Sequence, residues 1–118
     1  MEESLSRLAK ADPETYQRAF DWLKNVAWGI IESDPEKYFL EPGPYPLRDA
    51  ILQAVLQDAI AARGYMFSVS HIWPKEALPA YRWKARIFVD PDNIIETRAD
   101  SPAATLLAAY LSAIEEQA

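Results

Sequence analysis

The sequence predicts an α+β domain with a three-stranded antiparallel meander in the order α-β-β-β-α, preceded by amino-terminal helices. Three observations lead to this class. Gly64 ends a long apolar stretch of helical spacing, and an Asp-Pro-Asp-Asn turn at 90–93 separates two segments of alternating polarity. Ser101, followed by a proline, opens a second apolar stretch of helical spacing. We therefore expect residues 47–118 to form the body of a single domain.

Residues 1–40 are predicted to form a helical extension. After a weakly amphipathic segment at 1–11, Asp12-Pro13-Glu14 is a typical helix start, since Asp can cap and Pro suits the first position. Residues at helical spacing then form an apolar stripe that must pack on another element. These are Tyr16, Ala19, Phe20, Leu23, Ala27 and Ile30.

The segment 34–46 connects this extension to the body. A second start signal at 34–36 predicts either a one-turn helix at the core edge, which we favour, or an aromatic docking turn. Residues 41–46 contain three prolines and a glycine, which predicts a linker. The linker either separates the extension from the body or folds the second helix back over the sheet.

Within the body, the pattern predicts a helix at 47–63, strands at 65–72, 81–89 and 94–99, and a helix from Ser101. Alternation along the second strand predicts a core face and an opposite face. The core face comprises Tyr81, Trp83, Ala85, Ile87 and Val89. Arg48 is placed on the polar side of the first body helix. Glu115 and Glu116 lie at an unfavourable helix end, which we expect to be frayed.

Composition excludes several classes of protein. The chain has 118 residues, a net charge of -6 and no cysteine, so disulfides, thiolate metal sites and cysteine nucleophiles are excluded. No apolar run reaches the length of a membrane span, and the acidic start is unlike a signal or transit peptide. We expect a cytoplasmic protein without a cofactor or metal, and the net charge disfavours nucleic acid as its main partner.

His71 is the single histidine of the chain. It could act as a general base near Glu76 or Asp90. However, the sequence has no second histidine, no nucleophile motif and no glycine-rich phosphate loop. We therefore favour a structural histidine beside aromatic residues, and we expect no enzymatic activity.

A local basic face is the first candidate binding surface. Alternation places Arg82, Lys84 and Arg86 on one side of the second strand, and Arg98 of the third strand joins them. Such a face could bind an anion, an acidic protein surface or a nucleic-acid backbone. Alternatively it is a solvated face paired to Glu96, or it lies beneath the second helix. These structural interpretations are the favoured ones.

Trp73 is a candidate partner anchor, because it lies in the loop after the first strand. The favoured alternative is that it covers the core as a lid.

A further candidate surface is the amino-terminal part, where nine acidic residues oppose five basic ones in residues 1–46. An acidic surface including Asp34 and Glu36 could engage a basic host protein as nucleic-acid mimics do, although such charge also serves solubility.

Two resemblances add to these patterns. The order of elements in 47–118 resembles the double-stranded RNA-binding domain, but the stretch ADSPAATLLAAY at 99–110 lacks the basic cluster of that family. The likeness is therefore one of topology, and no binding residue is carried over. In addition, the segments AILQAVLQDAIAARGY, YRWKARI and SPAATLLAAYLSAI are similar to small phage-encoded proteins of the α-β-α sandwich family. That resemblance covers 47–114 and implies a phage or prophage origin.

The favoured function is therefore that of a small, non-enzymatic phage-type protein that acts through protein–protein interaction, with a protein partner or as a homodimer. One alternative is nucleic-acid or anion binding through Arg82, Lys84, Arg86 and Arg98. Another is inhibition of a host nucleic-acid-binding or defence protein by the acidic helices.

Overall fold

In the computed structural model of the protein, residues 2–26, 39, 46–73, 78 and 81–117 are described. The elements within them are α1 (Glu2–Ala11), α2 (Pro13–Val26), α3 (Pro46–Ala62), β1 (Met66–His71), β2 (Trp83–Asp90), β3 (Asn93–Ala99) and α4 (Pro102–Gln117). The predicted α+β class and α-β-β-β-α order are confirmed. The predictions for the one-turn helix at 34–36, for most of the linker and for Glu76 lie outside the described residues.

Helix starts follow the capping signals in the sequence. The backbone N–H of Thr15 donates to Asp12 Oδ1 at 3.2 Å, so Asp12 is the N-cap of α2. The backbone N–H of Ala104 donates to Ser101 Oγ at 3.1 Å, which makes Ser101 the N-cap of α4. Each cap satisfies a backbone donor that the first turn of a helix leaves without a partner.

The end of α3 requires a glycine. Gly64 has a φ of 78°, in the left-handed region that favours a residue without a Cβ. Its N–H donates to the carbonyl of Ala61 at 2.9 Å, and the N–H of Tyr65 donates to the carbonyl of Ile60 at 3.2 Å. These two bonds form a Schellman motif, which turns the chain from α3 directly into β1.

The sheet has the order β1-β2-β3, and both pairings are antiparallel. Val69 of β1 pairs with Ala85 of β2, and Ala85 pairs with Thr97 of β3. The predicted alternation is confirmed, since Ala85 is fully buried on the face that carries the core. The β2–β3 hairpin closes at the pair Asp90–Asn93, after an irregularity in the register.

The described elements form three layers. α4 packs on β2 and β3, with α3 beside it, while α1 packs on α4 and α2 packs on α3. Because α4 lies between the sheet and other helices, it is buried on most sides. Its buried residues include Leu106, Leu107, Ala109, Tyr110, Leu111 and Ala113. The amino-terminal helices thus pack mainly on helices, and α2 does not lie over the sheet.

Two predictions about charged residues are wrong. Arg48 is 1% exposed instead of lying on a polar face, and its guanidinium pairs with Asp49 Oδ1 at 3.1 Å. Its Nη1 also donates to the carbonyl of buried Phe39 at 3.5 Å. The end of α4 is not frayed at Glu115, because Arg7 of α1 forms an ion pair with it at 2.6 Å.

Candidate functional site

The face of the sheet that points away from α3 and α4 carries the predicted basic residues. We call it the outer face. The strand register arranges its side chains in rows that cross all three strands. The basic row is Ser70, Lys84 and Arg98; the middle row is Ser68, Arg86 and Glu96; the apolar row is Met66, Phe88 and Ile94. The face therefore changes from basic to apolar along the strand direction.

The outer face is open to solvent. Met66 is 72% exposed and Ile94 is 51% exposed, although both are large apolar residues. Arg86 and Arg98 are exposed as well, while Lys84 is half-buried. Of the two structural interpretations, burial beneath α2 is therefore wrong, and the solvated face is correct.

One of the four basic residues is neutralised within the sheet. Arg86 Nε donates to Glu96 Oε1 at 2.8 Å, which confirms the predicted cross-strand pair. This hydrogen bond is the main reason why the pKa of Glu96 is lowered, and the positive charges of Lys84 and Arg98 lower it further. Arg86 is therefore less available for a partner than its neighbours.

The other three basic residues, Arg82, Lys84 and Arg98, have no ion-pair partner within the described part of the chain. Arg82 precedes β2, where its carbonyl accepts the N–H of Ile72 at 2.7 Å. Its Nε is buried and forms no hydrogen bond with the described residues. A buried donor without an acceptor costs free energy, so this atom is a local defect in the packing and is not a point that a partner can reach.

Exposed aromatic and aliphatic side chains lie near the basic end of the outer face. Trp73 is 71% exposed, Leu78 is 69% exposed and Tyr81 is 52% exposed. The interpretation of Trp73 as a lid on the core and the placement of Tyr81 on the core face are therefore wrong, since Tyr81 also precedes β2. Tryptophan, tyrosine and arginine are the residue types enriched at the energetic centres of protein interfaces. This end of the sheet combines all three types.

An apolar hollow of about 400 Å³ lies at the opposite end of the outer face. It is lined by Gly64, Met66, Phe88, Val89, Asp90 and Pro91. The turn from α3 to β1 therefore faces the β2–β3 turn across it. Neither the hollow nor the apolar row was predicted, because their residues come from two strands and two turns that only the register brings together.

The predicted role of His71 as a general base with Asp90 finds no support in the geometry, and Glu76 lies outside the described residues. His71 packs against Trp83 with ring centroids 4.7 Å apart, as expected for a structural histidine. His71 pairs with Trp83 at one end of β2, and Asp90 lies at the other end. The seven residues between Trp83 and Asp90 correspond to roughly 23 Å, so Asp90 is too far from His71 to assist it. Among the described residues, no group of three or more His, Cys, Asp or Glu side chains could hold a metal ion.

A polar cluster inside the helical layers was also missed. Tyr110 donates its hydroxyl hydrogen to Asp12 Oδ2 at 2.5 Å, and Arg63 Nε donates to the Tyr110 hydroxyl oxygen at 3.1 Å. Burial raises the pKa of Asp12, but hydrogen bonds from Thr15 and Tyr110 outweigh it, so the pKa is lowered. Burial and the bond to Asp12 raise the pKa of Tyr110. The cluster joins α2, α3 and α4, so its role is structural.

No helix in the described part of the chain is long and apolar enough to cross a membrane. Comparison with protein-family models, curated proteins and solved structures finds no match to this chain. The outer face of the sheet is therefore identified as the candidate site on its own geometry and charge.

Proposed function

We propose that this protein is a non-enzymatic protein-binding module that holds an acidic segment of a partner on the outer face of its sheet. One observation carries this proposal. Lys84 and Arg98, which have no ion-pair partner among the described residues, lie opposite each other on the uncovered outer face. Exposed Trp73 and Tyr81 lie in the segments that follow β1 and precede β2 at the same end of the sheet. Apolar anchors next to unpaired charges are the combination that protein interfaces use for affinity and for orientation.

A protein segment fits this surface better than a nucleic acid. The chain as a whole carries a net charge of -6, so a polymer with a phosphate at every nucleotide is repelled beyond the contact area. A segment with two or three carboxylates meets the local cations and contributes less repulsion elsewhere. Partner binding should weaken as salt rises, because exposed charges are screened over roughly 10 Å at 0.1 M salt.

Nucleic-acid binding is the second candidate, and the same cations favour it. Trp73 is exposed and could stack on a base, while Lys84 and Arg98 could contact phosphates. Single-stranded nucleic acid would then be the preferred ligand, since stacking requires an accessible base. This candidate predicts recovery of nucleic acid and loss of bound partners after nuclease treatment.

The first test is a pull-down from lysate of the source organism, with and without nuclease, at low and moderate salt. The variant Lys84→Glu/Arg98→Glu changes the net charge from -6 to -10. The control Lys10→Glu/Lys24→Glu makes the same change at exposed positions of α1 and α2. We expect a nuclease-resistant partner that the control retains and the variant loses. Retention by the variant would contradict the proposal.

A homodimer through the outer face is not part of this proposal. A two-fold axis parallel to the strands would place the basic rows of two copies against each other, which repels Lys84 and Arg98. An axis across the strands would place the basic row on the apolar row, which leaves the charges unpaired. A homodimer would therefore use another surface, and a solution mass above the 13.4 kDa monomer would reveal it.

The remaining functional hypotheses stay predictions. A phage or prophage origin and a cytoplasmic location follow from the resemblance and from the composition. The acidic-inhibitor hypothesis involves Asp34 and Glu36, which lie outside the described residues. It predicts that a basic host protein co-purifies at low salt and is lost when these two carboxylates are neutralised.

A further inference from the structure

We infer that the outer face recognises an extended acidic peptide segment in which a bulky apolar side chain and an acidic side chain stand four residues apart. This inference rests on the proposed function and specifies the chemistry of the partner. It uses two features that lie at opposite ends of one face, namely the apolar hollow and the basic row.

The hollow supplies the apolar contact. Its volume of about 400 Å³ is at the lower end of the range for ligand pockets, and its wall includes Met66 and Phe88 of the apolar row. Because it is open to solvent and Met66 is 72% exposed, it suits one inserted side chain. Burial of a large apolar side chain there would supply much of the affinity.

The basic row supplies the charge contact. Lys84 and Arg98 are directly opposite each other in the register and have no ion-pair partner within the described residues. A carboxylate above this row can reach both cations, and the hydroxyl of Ser70 lies in the same row.

The distance between the two features selects an extended partner. Phe88 and Lys84 are four residues apart on one strand, which corresponds to roughly 13 Å. An extended peptide places residues i and i+4 on the same face at the same separation. Residue i+2 then lies over the Arg86–Glu96 pair, whose charges already satisfy each other, so a small polar residue fits there. A helix would need eight or nine residues to span this distance.

Charge decides among the possible occupants. A second copy of the chain is disfavoured because its basic row would meet like charges or an apolar row. A basic segment is repelled by Lys84 and Arg98. An uncharged apolar segment would bury the two cations without a counter-charge, which is costly. An acidic segment with one bulky apolar residue is complementary to both ends.

The test is selection of random 12-residue peptides from a displayed library on the folded protein. We expect enriched peptides to carry Trp, Phe, Leu or Met four positions from Asp or Glu. A synthetic peptide from the enriched set should bind at least tenfold more weakly when the acid is changed to its amide, and similarly when the apolar residue is changed to Ser. No enrichment, or enrichment without this spacing, would overturn the inference.

Variants of the protein locate the binding. Met66→Glu and Ile94→Glu introduce a charge at or beside the hollow, at positions that are exposed enough to leave the fold intact. Trp22→Glu is the matched control, since Trp22 is 47% exposed on α2. The selected peptide should bind Met66→Glu and Ile94→Glu at least tenfold more weakly than the wild type, and it should bind Trp22→Glu as tightly as the wild type. Circular dichroism spectra must match among all variants.

The same variants separate this inference from the proposed function. If the natural partner is lost with Lys84→Glu/Arg98→Glu but binds Met66→Glu and Ile94→Glu normally, the outer face is the binding surface and the apolar anchor is wrong. If all of these variants retain the partner, the proposed function is itself wrong.

Discussion

Replacement of Asp12 by alanine tests the polar cluster that joins the amino-terminal helices to the body. Asp12 caps α2 through the N–H of Thr15, and its Oδ2 accepts the hydroxyl hydrogens of Thr15 at 2.6 Å and Tyr110 at 2.5 Å. Loss of the cap costs about 1 kcal/mol. Thr15 and Tyr110 are both buried, and each hydroxyl left without an acceptor costs roughly 1 kcal/mol or more.

The sum predicts that Asp12→Ala lowers the free energy of unfolding by about 3 kcal/mol. For a chain of this length that corresponds to a fall in Tm of roughly 12 °C. Urea unfolding followed by circular dichroism measures the first quantity, and calorimetry measures the second. A loss below about 1 kcal/mol would refute the reasoning, because it would mean that both hydroxyls find other acceptors.

The variant Asp12→Asn is the control, and pH adds a second check. Asn caps a helix about as well as Asp, but it lacks the charge and the oxygen that accepts both hydroxyls, so we expect a loss of about 2 kcal/mol at neutral pH. The pKa of Asp12 is lowered in the folded protein, so its carboxylate stabilises the fold above the unfolded pKa. This stabilisation is lost as pH falls through the folded pKa. The difference between the wild type and Asp12→Asn should therefore shrink below about pH 4.

Three further predictions concern single positions. In Gly64→Ala the added Cβ meets no atom within 4 Å, so the only cost is the backbone strain at a φ of 78°. Urea unfolding should therefore show a free energy of unfolding lowered by about 1 kcal/mol. Leu106→Ala leaves a cavity at a fully buried site in the middle layer, so thermal unfolding should show a free energy of unfolding lowered by about 2–5 kcal/mol. A much smaller decrease would contradict the close packing of Leu106. Arg86→Gln breaks an exposed pair, so stability should change by less than about 1 kcal/mol. In the same variant the pKa of Glu96 should rise toward its ordinary value in an NMR titration, and an unchanged pKa would count against the pair.

Local features of the fold could be predicted because short-range physics decides them. A left-handed residue at Gly64, a cap at Asp12 and a cap at Ser101 each depend on the backbone of the next one to four residues. The inward position of Ala85 follows in the same way from the two-residue period of a strand. Such features are visible in a window of a few residues.

The errors arose where distant segments meet. The helical pattern places Arg48 on a polar face, yet Arg48 is buried and donates to the carbonyl of Phe39. The pattern within α3 does not show that Phe39 packs against this helix. Trp73 was interpreted as a lid, yet its exposure of 71% depends on which elements cover the sheet. Asp12 and Tyr110 are 98 residues apart in the chain, so their hydrogen bond has no signal in the sequence.

The sequence by itself determined the α+β class, the order of the elements, their caps and turns, and the basic residues of the outer face of the sheet. Only the tertiary structure decided that α2 packs on helices, that the outer face is open, and that among the described residues Arg86 has an ion-pair partner while Lys84 and Arg98 have none. The physical reason is that propensity and periodicity act along the chain, whereas burial and ion pairing depend on which surfaces the layers bring together.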